Sequence, residues 1–149
     1  MAKPHSRNYR NQMRGISIKA VILATLAVFG IDFISGLVLS GVFGGPPPDA
    51  TDEQIQSALE ALNHNRGYLT AALILGTAST VVGGYLTARL ARTLPYFNAL
   101  AFGALGVVLG IPMSGGVPMW LRILGIGLTI PAALCGGYWS KRRSQSPTG

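Results

Sequence analysis

Four long apolar segments constrain the fold of this chain more than any other feature of its sequence. A helix needs roughly 20 residues to cross the hydrocarbon of a bilayer. Four stretches come close to that length or exceed it: about 20–43, 68–88, 96–112 and 118–139. Only helices and closed barrels satisfy backbone groups in lipid, and these stretches lack the alternation of a barrel strand. The sequence therefore predicts an all-α membrane protein, a single four-transmembrane-helix bundle over residues 1–149.

The composition and the placement of charge favour a lipid environment over a soluble or nucleic-acid-bound one. Charged residues make up 11% of the chain, whereas ordinary globular proteins contain about 25%. The net charge of +7 is concentrated at the ends of the apolar segments, so we expect no nucleic-acid partner. We expect the basic tails, residues 1–18 and 140–149, to attract anionic lipids, or only to set the topology.

Basic residues also predict the orientation of the chain. Of the 12 Lys and Arg residues, all except Arg66 and Arg122 lie on the side that holds both termini. Because Lys and Arg are enriched on the cytoplasmic side of a membrane protein, both termini are predicted to be cytoplasmic.

The stretch between the first two spans, residues 44–67, is predicted to be an outer loop that contains a short amphipathic helix. Thr51 and Gln54 have the spacing of a capping box. An apolar stripe follows at the spacing of one helix face: Ile55, Ala58, Leu59 and Leu62. We expect this helix to lie on the outer surface with its stripe against the bundle or the headgroups. A docking site for a partner is the alternative.

Small residues predict where the spans contact one another, because helix association in lipid depends on close packing and buried polar contacts. The candidate packing residues of the second and third spans are Gly76, Thr80, Gly84, Gly103, Gly106 and Gly110. Pro131 removes a hydrogen bond from the fourth span and is predicted to kink it, as a hinge or as packing relief. The Gly-Gly-Tyr sequence at 83–85 recurs at 136–138. It indicates either duplicated hairpins or two helices that meet the same interface.

Asp32 lies inside the first span and is the candidate centre of an intramembrane polar site. The apolar residues around it outweigh the cost of inserting one acid, but the acid is not expected to face lipid. Thr25 and Ser35 share its helix face, which we assign to the bundle interior. Arg122 is the expected partner and Arg66 the second choice. An acid at this depth indicates a proton relay or cation site, and the alternative is a structural ion pair or a neutral, hydrogen-bonded Asp.

One stretch of the chain resembles a group of uncharacterised small bacterial membrane proteins with four transmembrane helices. Residues 83–92 read GGYLTARLAR and residues 98–103 read NALAFG; the group has a GGYxxAR motif at the end of helix two. The resemblance implies four spans in the bacterial cytoplasmic (inner) membrane and transfers no catalytic or binding residue. Thr87 and Asn98 stand where the group is expected to have Ala and His.

No pattern in the sequence predicts catalysis. It contains no Ser-His-Asp set, paired carboxylates, zinc-protease motif or phosphate-binding glycine loop, so we expect no enzyme, no metal and no cofactor. The excess of helix-contact residues favours a non-enzymatic accessory or envelope-assembly component, with itself or another membrane protein as the partner. The alternative is a small transporter or channel subunit that uses Asp32.

Overall fold

The computed structural model describes residues 15–91 and 94–145, and over those residues the protein is all-helical. The described residues form five helices: α1 (Ile18–Phe43), α2 (Asp52–His64), α3 (Arg66–Ala91), α4 (Pro95–Met113) and α5 (Met119–Gln145). All except α2 are long and apolar enough to cross a membrane. The predicted class, a four-helix membrane bundle with a short helix between the first two spans, is confirmed. The predicted basic positions within 1–14, Arg92 and the tail from 146 lie outside the described residues.

The four long helices give the bundle two distinct ends. At the terminal end, where α1 and α4 begin and α3 and α5 finish, the Ser17 amide donates to Asn98 Oδ1 over 2.7 Å. At the same end, Lys141 Nζ lies 5.1 Å from the centre of the Tyr96 ring. The opposite end, where α1 and α4 finish and α3 and α5 begin, is called the loop end.

Two helices extend past their predicted ends. α3 continues from 88 to Ala91 and α5 from 139 to Gln145, so residues 140–145 are helical and not part of an irregular tail. The reason is local: Ser, Lys, Arg and Gln are tolerated in helices, and basic residues interact favourably with the dipole at a helix C-terminus. α5 also continues through Pro131, where the kink stays a prediction.

The most extensive helix contact joins α3 to α5 and is made possible by glycine. Gly84 lies against the backbone of Ala133, and Gly136 lies against the backbone of Val81; a Cβ at either glycine would overlap those atoms. The two Gly-Gly-Tyr segments therefore pack against each other. Their recurrence has a packing reason, since each supplies a glycine to the same crossing.

The predicted packing glycines divide into two groups. Gly84 is in backbone contact, and a Cβ placed at Gly103 or Gly106 would lie 3.1 or 3.3 Å from the nearest α5 side-chain atom. Gly76 and Gly110 have no such neighbour within 4 Å, so the prediction of helix contact was wrong for those two. Toward the loop end the helices are separated by cavities, and these two glycines line their walls.

α1 is covered by the bundle along its first half only. Its buried residues are Ala20, Val21, Ala24 and Val28, and none of the residues from Phe29 to Phe43 is buried. Ala24 and Val28 join Phe102 and Ala133 in the apolar core. The core therefore sits in the terminal half, and in the second half of α1 every residue is at least partly exposed.

The short helix α2 has the predicted N-terminus. The Thr51 amide donates to Gln54 Oε1 over 2.9 Å, and the Gln54 amide donates to Thr51 Oγ1 over 3.5 Å, which is the reciprocal capping box. Of the predicted apolar stripe, Leu62 is buried at 3% exposure while Leu59 stays 45% exposed. α2 therefore contacts the bundle, through α3, mainly near its C-terminal end.

Candidate intramembrane site at Asp32

Asp32 lies on α1 just beyond the part of the helix that is packed in the core. It follows Val28 by four residues and Thr25 by seven, so the three share one helix face. Val28 is buried, whereas Asp32 is exposed. The face that packs in the terminal half is thus continued by a carboxylate at the point where neighbouring helices cover it only in part.

Ser79 on α3 supplies a hydroxyl group that interacts with the Asp32 carboxyl. Ser79 is 3% exposed, and its Oγ also donates to the carbonyl oxygen of Gly76 over 3.0 Å. A hydroxyl has one proton, so it serves either the backbone or the carboxylate at a given moment. Ser79 therefore satisfies only part of the hydrogen-bonding capacity of the acid.

Asp32 lines a cavity of about 420 Å³ between α1 and α4, which we call the Asp32 cavity. Its lining is mainly apolar, with polar side chains from three helices: Thr25, Val28, Phe29, Asp32, Phe33, Thr80, Phe102, Gly106, Leu109, Gly110, Met113 and Thr129. Among these described residues there is no Lys, Arg or His. The carboxylate thus faces a space whose walls supply no counter-charge.

The hydroxyl groups of the residues that line this cavity differ in the hydrogen bonds that they already make. Thr80 Oγ1 donates to the Gly76 carbonyl and Thr129 Oγ1 donates to the Gly125 carbonyl, each over 2.7 Å. Their protons are committed to the backbone, so only lone pairs remain. Thr25 Oγ1 is buried without a hydrogen-bond partner in the described part of the chain.

The expected Asp32–Arg122 ion pair is not formed among the described residues. Arg122 Nη2 donates to the carbonyl oxygen of Ile111 over 3.3 Å, which also accepts from the Ser114 amide and hydroxyl. The arrangement of helices explains the error: α1 packs chiefly on α3 and α4, while α5 packs on the same two helices. The first and fourth spans are not the close neighbours that the pairing required.

Arg122 instead lines a second cavity of about 290 Å³ between α3, α4 and α5. The residues common to both cavities are Thr80, Gly106, Gly110 and Thr129, so the two spaces meet along these small side chains. Of the other candidate residues, Thr25 shares the Asp32 cavity, whereas Ser35 and Arg66 line neither one.

Two polar residues that sequence reasoning did not place in a site are central to the structure. Ser79 contacts the acid, and its only sequence signal is a hydroxyl within an apolar span. Asn98 is fully buried; its Oδ1 accepts from the Ser17 amide and its Nδ2 donates to the Leu94 carbonyl over 3.1 Å. It ties α4 to the N-terminus of α1.

Basic and aromatic side chains pair at the terminal end. Arg89 donates to the Tyr85 hydroxyl over 2.6 Å and lies 5.9 Å from the centre of its ring. Arg142 lies 5.5 Å from the Tyr138 ring. Each pair has the i, i+4 spacing of helix neighbours, and each belongs to one Gly-Gly-Tyr segment. The repeated pattern thus combines a packing glycine with a cation–π pair.

Within residues 15–91 and 94–145 no group of three or more His, Cys, Asp or Glu side chains is placed to hold a metal ion. No protein-family model matches the chain, and comparison with curated proteins and with solved structures gave no significant match. The site at Asp32 is accordingly defined by its own geometry, a carboxylate on an open, mostly apolar cavity in a multi-pass helical membrane protein.

Proposed function

We propose that this protein is a non-enzymatic accessory or assembly component of the bacterial cytoplasmic membrane, and that it acts by helix association with both termini in the cytoplasm. The observation that carries the proposal is the second half of α1, in which no residue from Phe29 to Phe43 is buried. More than half the length of this span therefore keeps at least partly exposed side chains available to a partner.

One face of α1 has the chemistry of a helix contact. Gly30 and Gly41 are 11 residues apart, close to three helical turns, so they share a face. A Cβ at either position would meet no atom within 4 Å. Leu26, Ile34 and Leu37 flank them and are exposed. Small residues let helix backbones approach closely in lipid, and these glycines have no such role within the chain itself.

This Gly30 face is separate from the Asp32 cavity. Gly30 and Asp32 are two residues apart on α1, which places them about 200° apart around the helix axis at 3.6 residues per turn. A second copy, or a helix of another membrane protein, could therefore contact the Gly30 face while the cavity stays open. The basic residues at the terminal end, among them Lys19, Arg89 and Lys141, support cytoplasmic termini beside anionic lipid.

Site-directed photocrosslinking in native membranes tests the association. A photoreactive residue at Ile34 is expected to capture a second copy or another membrane protein. The matched control is Ile123 on α5, which is equally exposed, at 62% against 63%. Adding Gly30→Leu should reduce capture, whereas Gly127→Leu, also in open space, should not. Failure to capture any protein from position 34 would end the proposal.

A second candidate function, a small transporter or channel subunit, is favoured by the open Asp32 cavity. In a structural ion pair the carboxylate would be covered by a basic side chain of the protein. Asp32 is instead exposed and lies beside Ser79. Under this candidate, Asp32→Asn protein should fold in detergent like the wild type but lose transport. Normal transport by a folded Asp32→Asn variant would remove it.

A further inference from the structure

We propose that the Asp32 cavity is a binding site for a hydrophobic organic monocation, an amine bound as its ammonium form. This inference deepens the second candidate function. It concerns binding, so it is tested separately from transport and from helix association.

The Asp32 carboxylate lies inside a membrane span, where a charge without a counter-charge is costly. The described residues that line the cavity include no cation, and Arg122 is engaged with the Ile111 carbonyl. A ligand with one positive charge would supply the counter-charge that the lining residues do not provide.

Hydrogen bonding selects the kind of cation. The Thr80 and Thr129 hydroxyls donate to backbone carbonyls and present only lone pairs to the cavity. Together with the carboxylate they form a set of acceptors, which matches an ammonium group with several N–H donors.

The apolar walls select an organic cation over a metal ion. Phe29, Phe33 and Phe102 supply three aromatic rings, and Met113 adds a thioether. Aromatic faces attract organic cations, and the remaining surface suits an apolar ligand body. Hard metal ions take about six or more oxygen ligands, whereas the lining side chains offer one carboxylate and three hydroxyls. The volume of about 420 Å³ falls within the usual range for small-molecule sites, about 300–1,000 Å³.

Binding would be measured with the full-length protein in lipid nanodiscs, by equilibrium dialysis of 2-(1-naphthyl)ethylammonium. Empty nanodiscs correct for partition into lipid, and 2-(1-naphthyl)ethanol is the neutral probe of the same shape. We expect saturable binding of the ammonium compound to the wild type and at least tenfold weaker binding to Asp32→Asn. The matched control Glu60→Gln changes an acid on α2, away from the cavity, and should bind like the wild type.

The outcomes separate the alternatives. The proposal is overturned if the wild type shows no saturable binding, if the alcohol binds as tightly as the amine, or if folded Asp32→Asn retains wild-type affinity. If Asp32→Asn does not fold, Gly110→Leu decides, because a Cβ there would meet no atom within 4 Å and Gly110 lines the cavity. Loss of binding with an unchanged melting temperature supports the site, and retained binding overturns it.

Discussion

Gly84 sets how closely α3 and α5 approach each other. An added methyl group at this position would overlap the backbone of Ala133, which cannot move aside as a flexible side chain could. We expect Gly84→Ala to destabilise the bundle by about 1–3 kcal/mol, the usual cost of overpacking. Thermal denaturation in detergent measures the effect.

The control for this prediction is Gly76→Ala on the same helix. A methyl group there meets no atom within 4 Å, and alanine favours helix by up to about 1 kcal/mol over glycine. The melting temperature should therefore stay the same or rise. Equal losses in the two variants would mean that the α3–α5 crossing is not as close as the structure has it.

Asn98 holds the start of α1 against α4. Its Oδ1 accepts from the Ser17 amide over 2.7 Å, and the residue is fully buried. We expect Asn98→Leu to cost about 1–3 kcal/mol, because it keeps the volume but leaves a backbone donor unsatisfied. Thr70→Leu is the matched control: the Thr70 hydroxyl donates to a carbonyl of its own helix at an exposed position, so its removal leaves no donor unsatisfied. In thermal denaturation, a loss for Asn98→Leu no larger than that for Thr70→Leu would contradict this role of Asn98.

At the scale of single residues, the sequence located the acid but not its surroundings. Asp32 and Thr25 stood out because polar groups in an apolar run are costly, and that cost depends on composition alone. The assignment of Arg122 as partner failed because a partner depends on which helices are neighbours. Ser79 was missed for the same reason, since a hydroxyl that bonds to its own helix looks the same from sequence whether or not an acid lies beside it.

Helix α2 is the element whose start the sequence specified in most detail. Its capping box joins Thr51 to Gln54 by two hydrogen bonds. We expect Thr51→Ala to fray the first turn, at a local cost of about 0.5–2 kcal/mol. Amide hydrogen exchange over residues 52–56 should become faster while exchange around Leu62, which is buried, stays slow. Ser57→Ala, which removes only a bond to the Gln54 carbonyl, is the control and should leave the first turn protected.

At the scale of elements, apolar length predicted all four spans within a few residues at most of their ends. Hydropathy works here because the bilayer is a uniform solvent, so a helix inserts by its own composition. The end of α5 was the exception, since its last residues are polar and helical together. The contact of each glycine with another helix was predictable only in part. Gly103 and Gly76 look alike in sequence, but Gly103 contacts α5, whereas Gly76 lies toward the loop end, where the helices diverge.

For the whole molecule, the distribution of charge between the two ends is the feature that predicts orientation. Among the described residues, Lys19, Arg89 and the run 141–143 lie at the terminal end, whereas Arg66 and Arg122 lie at the loop end. Transfer of Lys and Arg across the membrane is disfavoured, so the basic end should remain in the cytoplasm.

Cysteine labelling in intact cells measures that orientation. Cys135 is exposed and would first be replaced by Ala, to leave single cysteines at Ser57 on α2 or Ser144 near the end of α5. A maleimide that does not cross membranes should label Ser57→Cys in intact cells and Ser144→Cys only after permeabilisation. Because both side chains are exposed, access to the reagent differs only through the side of the membrane. Labelling of Ser144→Cys in intact cells would show that the orientation is the opposite of the predicted one. The basic end would then lie away from the anionic cytoplasmic leaflet, and the proposed contacts with anionic lipid would not form.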